Sequence, residues 1–266
     1  MSTGANAALN KLRKKIFNRT VLRGTVSVCL CLALWELGRA FKLPLLEAMP
    51  APSEIFGVIW KLVVDPKFWA NWGASYQRVL VGFLAAQVVG IPLGLAMATS
   101  KAFYDISFSA FEIVRPIPPL AWVPISIIFW PTTESSIAFV IFLGAFFTVV
   151  INVLGGARNI DARFTRAAIS LGSRPSDVFF KIVLPATLPS IFTGMAVGMG
   201  ITWEVVVAAE MIAGKSGLGY LTWSSYVGGN YPQIVVGMMS IGIAGYLSSY
   251  AIRLLGRVCM PWLRIF

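Results

Sequence analysis

Asp161 to Pro189 reads DARFTRAAISLGSRPSDVFFKIVLPATLP, a polar island carrying Arg163, Arg166, Arg174 and Lys181 between two long apolar runs. Two short helical patterns meet in it at Gly172. Asp161 suits the start of the first as an N-terminal anion, and Gly172 suits its end because glycine adopts backbone conformations that other residues avoid. Pro175 fits the first turn of the second pattern, where a missing N–H is harmless, and that pattern is expected to end at Leu184-Pro185. Such a stretch forms either a stiff helical hairpin that a partner can grip or a solvated basic loop. The sequence on either side has to separate the two.

That flanking sequence is membrane-like. Of 266 residues, 57% are hydrophobic and 12% are charged, about half the charged share of an ordinary soluble domain, and the mean hydropathy is +0.77. Spanning helices use up a chain of this length, so the expected organisation is a tail over residues 1–20 and a single transmembrane domain over 21–266. The absence of histidine removes His-based triads, most metal sites and His proton relays. Cys29, Cys31 and Cys259 make no disulfide framework and read as small buried hydrophobes.

Six apolar runs are expected to span, at about 21–40, 76–99, 103–130, 136–155, 188–213 and 233–258, with the polar loop 156–187 between the fourth and fifth. The first could be a signal peptide, but its basic lead is long and Gly-Arg-Ala-Phe-Lys-Leu-Pro is a poor cleavage site; Glu36 and Arg39 lie near its outer end. After a loop punctuated by Pro44, Pro50 and Pro52, Ser53 is the expected N-cap of an amphipathic helix to about Val64. Twelve residues cannot cross about 30 Å of hydrocarbon, so with Trp60, Trp69 and Trp72 it is expected to lie along the interface. Short links at Thr99-Ser100-Lys101 and Pro131-Thr132-Thr133-Glu134 join neighbouring helices.

The basic residues sort by side. With the N-terminus inside, fifteen of the 22 Lys and Arg residues are cytoplasmic: Lys11, Arg13, Lys14, Lys15, Arg19, Arg23, Lys101, Arg158, Arg163, Arg166, Arg174, Lys181, Arg253, Arg257 and Arg264. Arg39, Lys42, Lys61, Lys67 and Lys215 fall on the other side, and Arg78 and Arg115 lie within apolar runs. By the positive-inside rule both termini and the island are cytoplasmic, which accounts for most of the net charge of +11 without nucleic acid.

Ala167-Ala168, three residues, Gly172, nine residues, Ile182, one residue, Leu184-Pro185 resembles the EAA loop of permease subunits of ABC importers, with Arg166 where that family's leading Glu stands. RPIPPLAWVP (Arg115 to Pro124) and WEVVVAAEMIAGKSGLG (Trp203 to Gly219) look like the subgroup serving nitrate, sulfonate, taurine, bicarbonate and related small anions. The resemblance runs from roughly Pro50 to the C-terminus. It implies an all-α, six-helix type I importer permease in a bacterial inner membrane, moving a small anion inward by alternating access. It also implies partners: cytoplasmic ATPase subunits, a second permease subunit expected to be identical, and an extracytoplasmic binding protein. ATP and Mg belong to the ATPase, leaving no cofactor, metal or catalytic residue here. Arg166, Ala167, Ala168, Gly172, Ile182, Leu184 and Pro185 would couple to the ATPase.

For the pathway, Arg115, Trp122, Trp203, Glu204 and Glu210 are the candidates. Pro116, Pro118, Pro119 and Pro124 must interrupt the third span, and broken backbone at membrane depth is tolerated where it is buried in protein or lines a watery cavity. Arg115 there needs a partner or water; Glu112 could pair with it at i,i+3, or the arginine could attract an anion. Carboxylates would repel anionic cargo, so Glu204 and Glu210, facing different directions, are expected in structural or gating roles. Gly214-Lys215-Ser216 is not a phosphate loop, because Ala209 stands where the earlier glycine is required; Gly217 and Gly219 instead shape an external turn. Gly90 with Gly94, and Gly194 with Gly198, read as close helix packing. A self-sufficient secondary transporter or channel is the rival reading, and it would leave the spaced island motif unused; a membrane enzyme has no supporting residue cluster.

Overall fold

The structure, a computed structural model, describes residues 19–43 and 49–262. The basic residues from Lys11 to Lys15, Pro44 and Arg264 lie outside the described residues. Among the described residues the secondary structure is helical: α1 (Arg19–Ala40), α2 (Pro52–Val64), α3 (Pro66–Thr99), α4 (Lys101–Val114), a 3-10 turn (Pro119–Trp122), α5 (Val123–Phe129), α6 (Thr133–Arg158), α7 (Ala162–Ser170), α8 (Pro175–Val178), a π-helical turn (Phe179–Val183), α9 (Leu184–Ala213), α10 (Leu218–Val227) and α11 (Tyr231–Cys259).

Four helical stretches, Pro66–Thr99, Thr133–Arg158, Pro175–Ala213 and Tyr231–Cys259, are long and apolar enough to cross a membrane, and α4 with Pro119–Phe129 makes a fifth candidate bent by 82°. At the first expected span, α1 forms a 22-residue helix, which is not among the five candidates found among the described residues. The third expected span is two short pieces. Pro116 and Pro118 fall in the gap and Pro119 opens the 3-10 turn, each lacking the N–H that helix continuation needs.

Small residues set the core. The positions of side chains at Gly82 and Gly94 are filled by Ile141 and Val153 of α6. Because 82 meets 141 and 94 meets 153, α3 and α6 run parallel. The bent α4–α5 segment must therefore return the chain from the Thr99 end to the Thr133 end, which makes it a broken crossing and not a loop that re-enters and leaves on one side. Gly194 sits against Asn152 and Gly198 against Val149 and Ala145, so α9 is antiparallel to α6; Gly245 against Trp203 and Gly256 against Phe192 make α11 antiparallel to α9. The expected close packing at both glycine pairs holds: van der Waals contact of this kind drives helix association where lipid removes the hydrophobic incentive.

Two ends result. One carries Pro66, Glu134, the 214–217 turn and Tyr231. The other carries Thr99, Arg158, α7 and Cys259, with the Arg158 guanidinium 3.6 Å from the centre of the Tyr104 ring.

Local expectations change at three points. Helix α2 starts two residues early: Ala51 is its N-cap, the Ala51 N–H donates to Glu54 (3.2 Å), and Ser53 instead donates from both N and Oγ to Glu36 of α1. The three cysteines are exposed rather than buried, because they lie on outward apolar faces that a lone chain leaves uncovered. Finally, no helix ends at Leu184-Pro185. A π turn widens the backbone just before Pro185, the Leu184 N–H reaching back to Phe179 O. That extra residue per turn relieves the clash proline makes with the preceding turn, and helix continues from Pro175 to Ala213.

Candidate functional site

The island folds into a hairpin at one end of the bundle. Asp161 caps α7 by accepting from Arg163 N at 2.8 Å. At the other terminus, Ser173 N donates to Ala168 O (3.0 Å) and Gly172 N to Ile169 O (2.9 Å), the paired closing bonds of a Schellman motif. Gly172 has φ +84°, so the three-residue spacing from Ala168 to Gly172 is the spacing this cap requires. Arg174 and Pro175 open α8, and Lys181 pairs with Asp177 at 2.7 Å. Phe164, Ile169, Leu171 and Phe180 are exposed, Leu171 at 86%. A cytoplasmic loop that only fixed topology would need none of these uncovered apolar side chains.

Arg166 is exposed; its Nε makes one long contact to Ala162 O (3.4 Å), and its side chain lines a cavity of about 630 Å³ between the hairpin and the ends of α3 and α6. Ala167 O accepts from Leu171 N within the same cap. Ile182 lies in the π turn, with Leu184 and Pro185 opening α9. The leg from Pro175 is therefore continuous with a helix long and apolar enough to cross a membrane.

The pathway candidates do not converge. Arg115 sits at the break after α4, half-exposed and paired with Glu112 at 3.1 Å, and it borders a cavity of about 340 Å³ with Pro119, Thr148, Asn152 and Ile201. Trp122 ends the 3-10 turn, its Nε1 buried with no hydrogen-bond partner among the described residues. Trp203 is a core residue, donating to Ser248 Oγ (3.2 Å) and edge-on to Tyr76. Glu204 is exposed in a groove between α9 and α11 that Arg253 also borders. Glu210, six residues on, is fully buried.

Around Glu210 lies a cluster that the sequence reading did not assemble. Arg78 of α3, 6% exposed, binds Glu134 at the start of α6 through Nε (2.7 Å) and Nη2 (2.6 Å). Its Nη1 donates to Glu210 Oε1 (2.8 Å) and Ser216 O (2.6 Å), and its Nη2 also reaches Ser216 Oγ (3.1 Å). Glu210 further accepts from Ser75 Oγ (2.8 Å) and Gly219 N (2.9 Å), Ser75 Oγ accepts from Leu218 N (2.9 Å), and Asn71 Oδ1 accepts from Gly217 N (2.8 Å). Gly217 has φ +114°, and a side chain there would run into the Glu210 carboxylate. The GKSGLG turn is thus clipped onto α3 by one buried carboxylate. One signal was available: Arg78 and Glu210 are opposite charges within separate apolar runs, each too costly to leave unpaired.

Residues 90–265 match the family described as the binding-protein-dependent transport system inner membrane component. The chain is 34% identical to the nitrate import permease protein NrtB of Synechocystis sp., over 97% of this chain and 98% of that one. It is 30% identical to the taurine transport system permease protein TauC of Escherichia coli, over 98% of each. Among solved structures, an inward-facing conformation of the MetNI methionine ABC transporter superposes with a TM-score of 0.62 at 19% identity, covering 73% of this chain and 98% of that one; this likeness bears on the fold.

Proposed function

The chain belongs to the family of binding-protein-dependent transport inner membrane components, with the type I ABC importer permease fold, and from that premise we propose that it is the permease subunit of an ATP-driven importer of a small oxyanion. It works by alternating access in a bacterial inner membrane, with both termini and the 156–187 loop cytoplasmic. Cytoplasmic ATPase subunits bind ATP and Mg and dock on the hairpin, a second permease subunit completes the passage, and an extracytoplasmic binding protein delivers cargo. The relatives named for nitrate and taurine support an oxyanion of that size.

The observation that carries this reading is the hairpin: exposed Phe164, Ile169 and Leu171 on a capped helix whose return leg is continuous with α9. ATPase closure pushing on α7 would tilt α9 as a lever. In that role Arg166, Ala167, Ala168, Gly172, Ile182, Leu184 and Pro185 shape the handle. Glu204, exposed on a spanning helix with no hydrogen bond or ion pair among the described residues, faces the second subunit or the passage, since lipid would not tolerate it. Copurification tests the reading. A stable complex with an ATPase, showing binding-protein-dependent uptake, is expected; uptake by this chain alone in liposomes would sink it.

A further inference from the structure

Arg78 is held asymmetrically. Its Nη1 side is fixed by the fully buried Glu210 and by the Ser216 carbonyl, whereas the Nε and Nη2 edge is occupied chiefly by Glu134, whose side chain is 64% exposed. That edge faces a cleft of about 750 Å³. Near the arginine the cleft is polar, with Gln77, Glu134, Ser135 and Ser216; deeper, Val81, Ala85, Phe139 and Phe142 make it apolar. Arg78 lies 21 residues from Thr99, about 32 Å along the helix at 1.5 Å per residue, roughly the hydrocarbon thickness. It therefore sits at the membrane boundary opposite the hairpin, where cargo enters.

We propose that the Nε and Nη2 edge of Arg78 is an oxyanion-binding site at the entrance, at which a small oxyanion, bare or with a short alkyl tail, exchanges with the Glu134 carboxylate. This rests on the oxyanion-import reading above and adds the site. Three features support exchange over a fixed tie. The guanidinium keeps its position when Glu134 leaves, because Glu210 and Ser216 hold the other side. A monoanion replacing a carboxylate leaves the net charge on the buried cluster unchanged, and nitrate, sulfonate or bicarbonate each present two oxygens on one centre to the same fork. Glu134 is also dispensable as a cross-link, since α3 and α6 already interlock at Gly82 and Gly94. An alkyl tail would lie along Val81 and Phe139.

The test uses the assembled permease–ATPase complex in nanodiscs without its binding protein, titrated with nitrate, taurine or bicarbonate, and with chloride as an anion lacking the paired oxygens. Binding is read from the rise in melting temperature. Glu134→Gln, which frees the fork without changing its shape, is expected to lower the half-saturating concentration of at least one oxyanion on the order of tenfold and to leave chloride without effect. Arg78→Lys, which keeps the charge but not the fork, is expected to abolish the response. Equal oxyanion affinity in wild type and Glu134→Gln overturns the site, as does a chloride response matching that to oxyanions. Uptake by the complete system is measured in parallel. Oxyanion uptake with unchanged affinity in Glu134→Gln removes only this site, while tighter binding in that variant with no oxyanion uptake upholds the site and removes the cargo assignment.

Discussion

The two ends of the bundle treat polar and apolar groups in opposite ways. Around Arg78, four segments of chain meet and nearly every polar atom is spent inside the protein: Asn71, Ser75, Glu134, Glu210 and the 214–219 turn satisfy one another. At the hairpin, the hydrogen bonds are local, within α7 and its cap, and the apolar side chains point outward. Apart from the edge of Arg78 that the exposed Glu134 covers, the first end is complete as it stands; the second is finished only by something that covers Phe164 and Leu171. Substitutions at the first should therefore be read in stability, and those at the second in coupling.

The largest loss of stability is expected from Glu210→Ala. Removing the buried partner of Arg78 and the acceptor for Gly219 should cost about 3–5 kcal/mol, seen as a collapse in the yield and melting temperature of the purified complex. Gly217→Ala comes next: φ +114° adds about 1–3 kcal/mol of strain, and the new methyl group displaces the Glu210 carboxylate. A melting temperature at the wild-type value would show that the turn is not clipped as described.

At the hairpin the readout changes. A Cβ added at Gly172 would meet nothing within 4 Å, so the cost of Gly172→Val is chiefly backbone strain of about 1–2 kcal/mol. The complex should assemble, but uptake should fall several-fold further than ATP hydrolysis; normal cargo-stimulated hydrolysis together with normal uptake would refute the lever. Leu171→Asp, on a side chain with little to lose from the folded chain, should leave the permease's melting temperature unchanged while ATPase copurification drops. Smallest of all, Lys181→Ala removes an exposed pair with Asp177 and should alter neither quantity measurably.

Much of the hairpin was legible because its determinants are close in sequence. The Asp161 cap, the Ala168-to-Gly172 spacing and Pro175 at a helix start are each satisfied within a few residues. The error at Leu184-Pro185 has the same origin: proline signals a break locally, and a π turn absorbs it. Glu204 and Glu210 were separable on angular grounds alone, six positions putting them on different faces, yet which one is buried depended on the helices packed beside α9. Gln77 and Ser216 carried no signal at all, since a polar residue near a helix end is ordinary until a cleft forms over it.

Hydropathy, the side on which Lys and Arg gather, and the spaced island were enough to determine a helical membrane chain with a protruding handle, because bilayer thickness and helix capping act through the sequence itself. Tertiary structure alone decided that α3 and α6 run parallel, that the proline-broken segment must therefore cross between them, and that Arg78 belongs to Glu210, 132 residues away. The physical reason is that a charge in a low-dielectric bundle must be compensated, but the requirement does not name the compensator. Which carboxylates arrive is settled by the way the helices close: Gly194 and Gly198 seat α9, which carries Glu210, against α6, and Gly82 and Gly94 seat α6 against α3, which leaves Glu134 on the exposed side of the same arginine.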